Sequence, residues 1–157
     1  MKILEEKYKQ ILEQQKEPEM VVYRNGTKKW YLNGKLHRTD GPAVEEPDGY
    51  KAWYLNGKHH RTDGPAVEHP DHKEWWINGK LHRTNGPAVE WTDGSKVWFL
   101  NGMRHRTDGP AIEDSENGYK EWWINGKEYT EDQFNDYIAT LKEIEKGNKE
   151  AGANLDF

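Results

Sequence analysis

The sequence contains no cysteine. This absence excludes disulfides, zinc sites built on thiolates and cysteine nucleophiles, and it is typical of proteins from a reducing compartment. The first 18 residues include four acidic side chains and no long apolar run, so we expect neither a signal peptide nor a membrane-spanning helix. The sequence therefore predicts a soluble, cytoplasmic protein.

The sequence also lacks an excess of basic charge. Lys and Arg number 23 against 28 Asp and Glu, and the whole net charge of −5 comes from residues 128–157. No basic stripe is present of the kind that binds nucleic acid, and no polybasic cluster that would bind an anionic membrane. We therefore expect neither nucleic acid nor membrane among the partners.

Residues with the chemistry of catalysis are few or scattered. Ser95 and Ser115 are the only serines, and neither lies in a nucleophile motif. The glycines belong to turn sequences, so no phosphate-binding loop is predicted. The carboxylates are spread through polar turns, and no pair of the glycosidase type can be named. We expect a protein that is not an enzyme and that has no catalytic residues, cofactor or metal.

Aromatic residues and a repeat are what the sequence does have. It contains eight Trp and eight Tyr, which argues against disorder. The segment WYLNGKLHRTDGPAVE at residues 30–45 returns in close variants at 53, 75 and 98, and a fifth copy at 122 breaks off early. The mean spacing is 23 residues, and the copies are numbered here as repeats 1 to 5 by their first tryptophans. These are Trp30, Trp53, Trp75, Trp98 and Trp122.

Each repeat has the pattern of short strands and tight turns. An Asn-Gly pair between apolar runs predicts a two-residue hairpin with a type I′ turn, because both residues must adopt positive φ. Asp-Gly-Pro, or Asn-Gly-Pro in repeat 3, then predicts a second bend, and Ala-Val-Glu or Ala-Ile-Glu a further strand. The segments that follow differ in length and have turn compositions, so insertions and deletions are expected there.

The two ends of the chain predict helices. Apolar residues recur at helical spacing in residues 2–16, and Thr130 to Gln133 form a capping-box sequence before a second stripe. The predicted organisation is an N-terminal amphipathic helix (1–18), a repeat stack (19–127), a C-terminal capping helix (128–146) and a flexible tail (147–157). The first stripe consists of Ile3, Leu4, Tyr8, Ile11 and Leu12, and the second of Phe134, Tyr137, Ile138, Leu141 and Ile144.

One repeat is too small to fold alone. It offers about three large apolar side chains, worth about 6 kcal/mol on burial, whereas ordering 23 residues costs roughly 30 kcal/mol in conformational entropy. Neighbouring repeats must therefore stack on one another, and the exposed ends of the stack need covers. The predicted fold class is mainly β: a single-layer antiparallel β-hairpin stack, capped by an N-terminal and a C-terminal helix.

A His-Arg pair recurs in repeats 1 to 4. A ladder of histidines invites a metal or acid–base interpretation, but equivalent residues two strands apart are separated by about 9.5 Å, too far to share one ion. We favour the interpretation that His and Arg hydrogen-bond the turn and pair with Asp40, Asp63 and Asp108. The pairs are His37-Arg38, His60-Arg61, His82-Arg83 and His105-Arg106.

Three further histidines do not recur with the repeat. His59, His69 and His72 fall close together in the sequence and suggest a local metal-binding or pH-sensitive patch. The spacing of these residues in a turn is weak evidence for it, and ordinary surface histidines are the favoured interpretation.

The residue after each anchoring tryptophan is also aromatic. Adjacent strand residues point to opposite faces, so each repeat places an aromatic side chain on both faces of the sheet. Two interpretations stay open: both faces are covered, or one presents an aromatic strip suited to binding, since Trp, Tyr and Arg are favoured at interface hot spots. The candidate binding residues are Tyr54, Trp76, Phe99, Trp123, Arg61, Arg83 and Arg106.

The repeat pattern N-G-K-x-H-R-x-D-G-P-A resembles a divergent phage and bacterial variant of the MORN-repeat family. The resemblance covers about residues 22–127, with repeats 1 to 4 matching closely. It implies a β-hairpin solenoid and a small phage-type accessory protein in the host cytoplasm. This sequence has His-Arg where His-Gly is usual in the family, so the lipid and scaffold roles attributed to MORN proteins are not carried over.

These observations together predict a non-enzymatic binding module. We expect a protein partner, a host protein by the resemblance, which the module binds and modulates, with inhibition as one outcome; self-association is a further possibility. The alternative is a small-ligand sponge in which aromatic and Arg side chains between repeats hold a nucleotide-like anion.

Overall fold

The structure, a computed structural model, describes residues 2–14 and 16–153. The chain forms short antiparallel β-hairpins with an α-helix at either end, so the predicted fold class is confirmed. The chain divides into two compact units, one ending at Lys80 and the other beginning at Leu81.

The first unit contains one helix and most of the strands. Within it the sheet runs in the order β1-β2-β4-β5-β8-β9, while β3 pairs with β2, and β6 pairs with β7 as a separate hairpin. A last strand, β11 (Lys80–Leu81), contains the division between the units. The other elements are α1 (Lys2–Gln14), β1 (Glu19–Val22), β2 (Lys28–Leu32), β3 (Lys35–Leu36), β4 (Val44–Glu45), β5 (Lys51–Ala52), β6 (Tyr54–Leu55), β7 (Lys58–His59), β8 (Val67–Glu68), β9 (His72–Glu74) and β10 (Trp76–Ile77).

The second unit repeats the same plan and ends in a helix. Its sheet runs in the order β12-β13-β16-β17-β18, and β14 pairs with β15 as a separate hairpin. The elements are β12 (Val89–Trp91), β13 (Lys96–Val97), β14 (Phe99–Leu100), β15 (Met103–Arg104), β16 (Ile112–Glu113), β17 (Lys120–Ile124), β18 (Lys127–Tyr129) and α2 (Glu131–Ala153).

The Asn-Gly turns have the predicted conformation. Asn56 has φ +51° and Gly57 has φ +79°, and the same pair of positive values occurs at every Asn-Gly of the five repeats. Both central residues of a type I′ turn require this left-handed region, which Gly and Asn reach more easily than other residues. The prediction of tight two-residue hairpins is therefore confirmed.

A second hairpin in each of repeats 1 to 4 contains the segment of variable length. β4 pairs with β5 through Val44 and Ala52, and β8 pairs with β9 through Val67 and Glu74. The chain between these paired strands lies at the hairpin ends, where an added residue lengthens a turn without shifting the register. This position explains why the repeats tolerate insertions there.

The core of each unit is thin and built from small residues. The alanine of every Gly-Pro-Ala segment is fully buried, and its backbone joins the next strand: Ala43 N–H donates to the Ala52 carbonyl at 2.8 Å. In the first unit Val44, Ala52 and Val67 form a buried cluster, against which Leu36 and Tyr54 pack. The remaining buried alanines are Ala66, Ala88 and Ala111.

Helix α2 covers the last hairpin of the second unit. Thr130 Oγ1 accepts from the Gln133 N–H at 3.3 Å, and the Gln133 side chain accepts from the Thr130 N–H at 3.1 Å, which confirms the capping box. Phe134 is buried, and the ring centres of Tyr137 and Tyr129 of β18 lie 5.6 Å apart. The helix contacts both β17 and β18, whereas Ile144 at 54% exposure faces solvent.

The helix boundaries differ in part from the prediction. Helix α2 continues to Ala153, so the predicted flexible tail 147–157 is helical over 147–153, and residues 154–157 lie outside the described residues. Gly147 does not stop the helix, because a single interior glycine costs only about 1 kcal/mol. Among the described residues no helix combines the length and the apolarity needed to cross a membrane.

Helix α1 forms where its periodicity predicts, but its apolar side chains are not covered by the sheet. Leu4 is 73% exposed and Ile11 is 50% exposed. Tyr8 and Ile3 are also exposed, and the side chain of Leu12 lies outside the described residues. The first unit thus carries an amphipathic helix with an open apolar face.

Candidate binding surface

Three of the recurring arginines, Arg38, Arg61 and Arg106, each lie between a tryptophan ring and a glycine. The Cζ atom of Arg61 is 4.0 Å from the centre of the Trp53 ring, a cation–π distance. On the other side, a Cβ atom added to Gly64 would lie only 3.0 Å from the same Cζ. A side chain at the Gly of Asp-Gly-Pro would press on the guanidinium, which would have to shift by a few tenths of an ångström. Equivalent stacks join Arg38 to Trp30 and Arg106 to Trp98.

The guanidinium groups also make several polar contacts within their own repeats. Arg61 donates from Nε to Asp63 at 2.9 Å and from Nη1 to the Pro65 carbonyl at 3.1 Å and to Glu68 at 2.9 Å. The hydrogen bond from Arg61 lowers the pKa of Asp63 below its ordinary value. The predicted Arg–Asp pairing is confirmed for Asp63, and equally for Asp40 and Asp108.

Repeat 3 keeps the arrangement with an amide in place of the carboxylate. Arg83 donates to Asn85 at 3.4 Å, to the Pro87 carbonyl at 3.0 Å and to Glu90 at 2.7 Å. The three candidate arginines Arg61, Arg83 and Arg106 are consequently half-buried and hold their own turns. Their recurrence is explained by folding.

The recurring histidines join one repeat to the next. His60 Nδ1 lies 3.2 Å from the backbone nitrogen of Asn78 and 2.9 Å from its side-chain oxygen. Residues 18 to 20 positions apart are connected in this way, so each histidine fixes the Asn-Gly turn of the following repeat. The prediction that histidine bonds a turn is confirmed. The other pairs are His37–Asn56, His82–Asn101 and His105–Asn125.

The four candidate aromatics are half-buried, and three of them contact side chains of other strands. His59 lies 4.1 Å from the Tyr54 ring and 5.3 Å from the Trp76 ring, between the two. In the second unit, Cζ of Arg104 lies 4.9 Å from the centre of the Trp123 ring. Phe99 is likewise half-buried. These aromatics therefore offer partial surfaces and do not form an open strip.

Each of the two tryptophans among them has a carboxylate partner of its own. The Trp76 indole N–H donates to Glu74 at 2.7 Å, and that of Trp123 donates to Glu121 at 2.6 Å. The residues at the glutamate position are Ala52 and Val97 where the following aromatics are Tyr54 and Phe99. A buried indole N–H needs an acceptor, which explains why glutamate accompanies tryptophan.

His59 differs in burial from His69 and His72, the other histidines that do not recur with the repeat. Its Nδ1 atom is buried and has no hydrogen-bond partner among the described residues. Burial lowers the pKa of His59 below its ordinary value, and the nearby Glu74 carboxylate opposes that shift in part. His69 and His72 instead meet at the turn between β8 and β9, with ring centres 4.8 Å apart.

An equivalent cleft lies between consecutive repeats in each unit. The cleft of the first unit has a volume of about 520 Å³ and is lined by Arg38, Trp53 and Arg61. The cleft of the second unit has a volume of about 610 Å³ and is lined by Arg83, Trp98 and Arg106. Asp40 and Asp63 also line the first cleft, so it contains both basic and acidic groups.

The largest exposed apolar groups of the first unit lie outside the repeats. They belong to α1, to the edge strand β1, all four residues of which are exposed, and to Tyr23, which directly follows β1. The amphipathic pattern of α1 predicts a cover for the stack, but the apolar side chains of α1 are exposed. The exposed large side chains are Ile3, Leu4, Tyr8, Ile11, Met20, Val21, Val22 and Tyr23.

No protein-family model matches the chain, and no curated protein does so.

Proposed function

We propose that the chain is a non-enzymatic module that binds a protein partner through the apolar face of α1. The exposure of Ile3, Leu4, Tyr8 and Ile11 on one short helix is the observation that supports this proposal. Leu4, Tyr8 and Ile11 are spaced as i, i+4 and i+7, the spacing with which an amphipathic helix occupies an apolar groove. The partner is therefore a protein that presents such a groove.

The energetics of a short helix favour an external partner. Helix α1 has 13 residues, and isolated helices of this length are marginal in water. Burying each of its large apolar side chains is worth about 1.5–3 kcal/mol. The sheet of its own unit leaves these side chains exposed, so a groove on another protein would supply that stabilisation.

The repeats serve this function as a scaffold. Arg61, for example, is held between a ring and a glycine and donates to three acceptors. Such contacts fix side chains that would otherwise be mobile, so the hairpins give a rigid support next to α1 in the chain. A host origin for the partner, and modulation of its activity, rest on the resemblance to phage MORN-like proteins.

The test compares two kinds of variant in a pulldown followed by affinity measurement. Leu4→Asp with Ile11→Asp should abolish capture of the partner, because two charges would enter the groove. Glu6→Ala, on the same helix, is the control and should change the affinity less than twofold. A partner that binds the Leu4/Ile11 variant normally, but loses affinity on substitution of Tyr54 or Trp76, would assign the interface to the repeats and refute the proposal.

Self-association is distinguished in the same experiment. Light scattering on the isolated chain should give a monomer mass for the wild type. A dimer that dissociates in the Leu4→Asp/Ile11→Asp variant would show that α1 binds a second copy of the chain, which would contradict the proposal of a different partner.

A second candidate function is binding of a small anion, such as a nucleotide, in the clefts. The observation that favours it is the recurrence of one cleft, lined by two arginines and a tryptophan, in both units. The cleft of the second unit has Asn85 where the first has Asp40, so it contains one carboxylate fewer. Titration with ATP should therefore detect that cleft first, and Asn85→Asp should weaken the binding. An unchanged affinity in Asn85→Asp would exclude the cleft.

A further inference from the structure

The turn between β8 and β9 brings together three side chains with metal-ligating atoms. His69 and His72 lie on either side of Pro70-Asp71, and the His69 N–H donates to the His72 carbonyl at 2.9 Å. Asp71 Oδ1 lies between the two rings, 2.8 Å from His72 Nδ1 and in direct contact with His69 Nδ1. The ligand atoms of the three residues lie within 4.8 Å of one another.

The fold does not require these residues. Repeats 1, 3 and 4 close their own hairpin ends with the equivalent backbone hydrogen bond. The residues equivalent to His72 there are Tyr50, Ser95 and Tyr119, as the bonds from Glu46, Trp91 and Asp114 show. The histidine pair is therefore specific to one hairpin, and among the described residues this is the single group of three such ligands.

A second set of contacts orients the ligands. His72 Nε2 faces Glu74 Oε1 at 3.5 Å, which leaves Nδ1 directed at Asp71. The other oxygen of Glu74 accepts the Trp76 indole N–H at 2.7 Å, so the carboxylate is itself held in place. The Tyr50 ring meets the His69 ring edge-on at 6.1 Å. A carboxylate behind a histidine ligand is the usual means of fixing the ring at a metal centre.

The donor set selects the class of ion. Two imidazole nitrogens and one carboxylate oxygen suit Zn²⁺ and neighbouring first-row divalent ions, whereas Mg²⁺ and Ca²⁺ prefer oxygen ligands throughout. Three protein ligands leave one position of a tetrahedral ion for water. All three come from four consecutive residues, so closing the chelate orders little additional chain.

We propose that His69, Asp71 and His72 form a binding site for a first-row divalent transition-metal ion, with Zn²⁺ as the probe and Glu74 as the residue that orients His72. The ligands are Nδ1 of each histidine and a carboxylate oxygen of Asp71. The ion takes the place now occupied by hydrogen bonds from the two imidazoles to that carboxylate. This site lies in the repeats and does not depend on the function proposed for α1.

The test is a calorimetric titration of the full chain with Zn²⁺. The wild type should bind one ion per chain. His72→Tyr, which introduces the residue found at the equivalent positions Tyr50 and Tyr119, should lower the affinity at least 100-fold, and Asp71→Asn should do the same. Glu74→Gln should lower it about 10- to 100-fold. Thermal melts recorded without metal establish that each variant is folded.

Two further measurements separate this site from other histidines. His37→Gln removes a histidine outside the cluster and should leave the stoichiometry and affinity unchanged. Co²⁺ should give the intense visible absorption of a tetrahedral centre in the wild type and not in His72→Tyr. Failure of the wild type to bind Zn²⁺, or equal binding by the wild type and His72→Tyr, would overturn the proposal.

Discussion

The guanidinium of Arg61 lies between Trp53 and Gly64, with Cζ 4.0 Å from the centre of the Trp53 ring. Trp53 comes directly before the β6–β7 hairpin and Arg61 comes after it. Their stack therefore packs the hairpin against the turn that follows. Glu68 and the Pro65 carbonyl hold the same guanidinium from within the repeat. The conspicuous arginine of each repeat is thereby assigned to stability.

Replacing Arg61 by lysine should lower the free energy of unfolding by about 1–3 kcal/mol. Lysine lacks the planar guanidinium that donates to Asp63 and Glu68 at the same time. Its compact ammonium also cannot stack flat on the Trp53 ring. Urea denaturation at neutral pH measures the change. Arg24→Lys is the matched control, since the Arg24 side chain is exposed, and it should change stability by less than about 0.5 kcal/mol. Equal effects of the two substitutions would refute the assignment.

Gly79→Val should destabilise the first unit by about 2 kcal/mol or more. Gly79 has φ +77°, a region that β-branched residues strongly resist. A Cβ there would lie 3.5 Å from Lys58, an ordinary contact, so the cost arises from the backbone. Gly79→Ala should therefore be milder. An unchanged melting temperature in Gly79→Val would be inconsistent with a type I′ turn.

His59→Leu should remove a pH-dependent part of the stability. Burial lowers the pKa of His59 in the folded state, so the unfolded chain binds more protons just below the ordinary value of 6.5. Stability is then greatest above pH 6.5 and decreases as the pH falls through the interval between the two pKa values. Leucine stands at the equivalent positions 36 and 81 and should fit.

The measurement is a set of urea denaturations between pH 7.5 and pH 5.5 for both proteins. The advantage of His59→Leu over the wild type should grow toward pH 5.5, whereas the Glu74 carboxylate next to His59 is common to both. Two parallel curves of stability against pH would contradict the prediction.

Glu121 and Trp123 should be energetically coupled. Glu121→Val alone leaves the Trp123 indole N–H without its acceptor and should cost about 1–3 kcal/mol. Adding Trp123→Phe recreates the pair Val97 and Phe99 of the preceding repeat, so the double variant should be more stable than the sum of the single changes predicts. A double-mutant cycle measures this coupling, and strict additivity would refute it.

Phe134→Ala should detach α2 from the last hairpin. Phe134 is 4% exposed, and truncating a buried phenylalanine costs about 3–5 kcal/mol. The variant should lose helical signal at a lower temperature and show earlier hydrogen exchange in β18, the strand that α2 contacts. Ile144→Ala, at a 54% exposed position, is the control and should have little effect. Similar melting of both variants would show that α2 is not a cover.

Much of the fold followed from the sequence because its determinants are local. Asn78 and Gly79 specify a type I′ turn by their own backbone preferences, and Thr130 and Gln133 specify a helix start three residues apart. The period of 23 residues then places identical hairpins along the chain. Helix α2 continues beyond the predicted end at residue 146 because Gly147 is a weak stop signal in a segment otherwise rich in helix formers.

The contacts that distinguish structural residues from candidate functional ones depend on the register of the stack. His60 meets Asn78 18 residues later, and His59 lies between Tyr54 of its own hairpin and Trp76 of the next. No local preference encodes these meetings, because they require two hairpins to pair in one alignment. Glu74, in contrast, reaches Trp76 and His72 because each lies two residues away in the same extended segment, where alternate side chains share a face. The sequence by itself therefore determined the turns, strands and helices, while tertiary packing decided which neighbouring repeat each His and Arg side chain contacts.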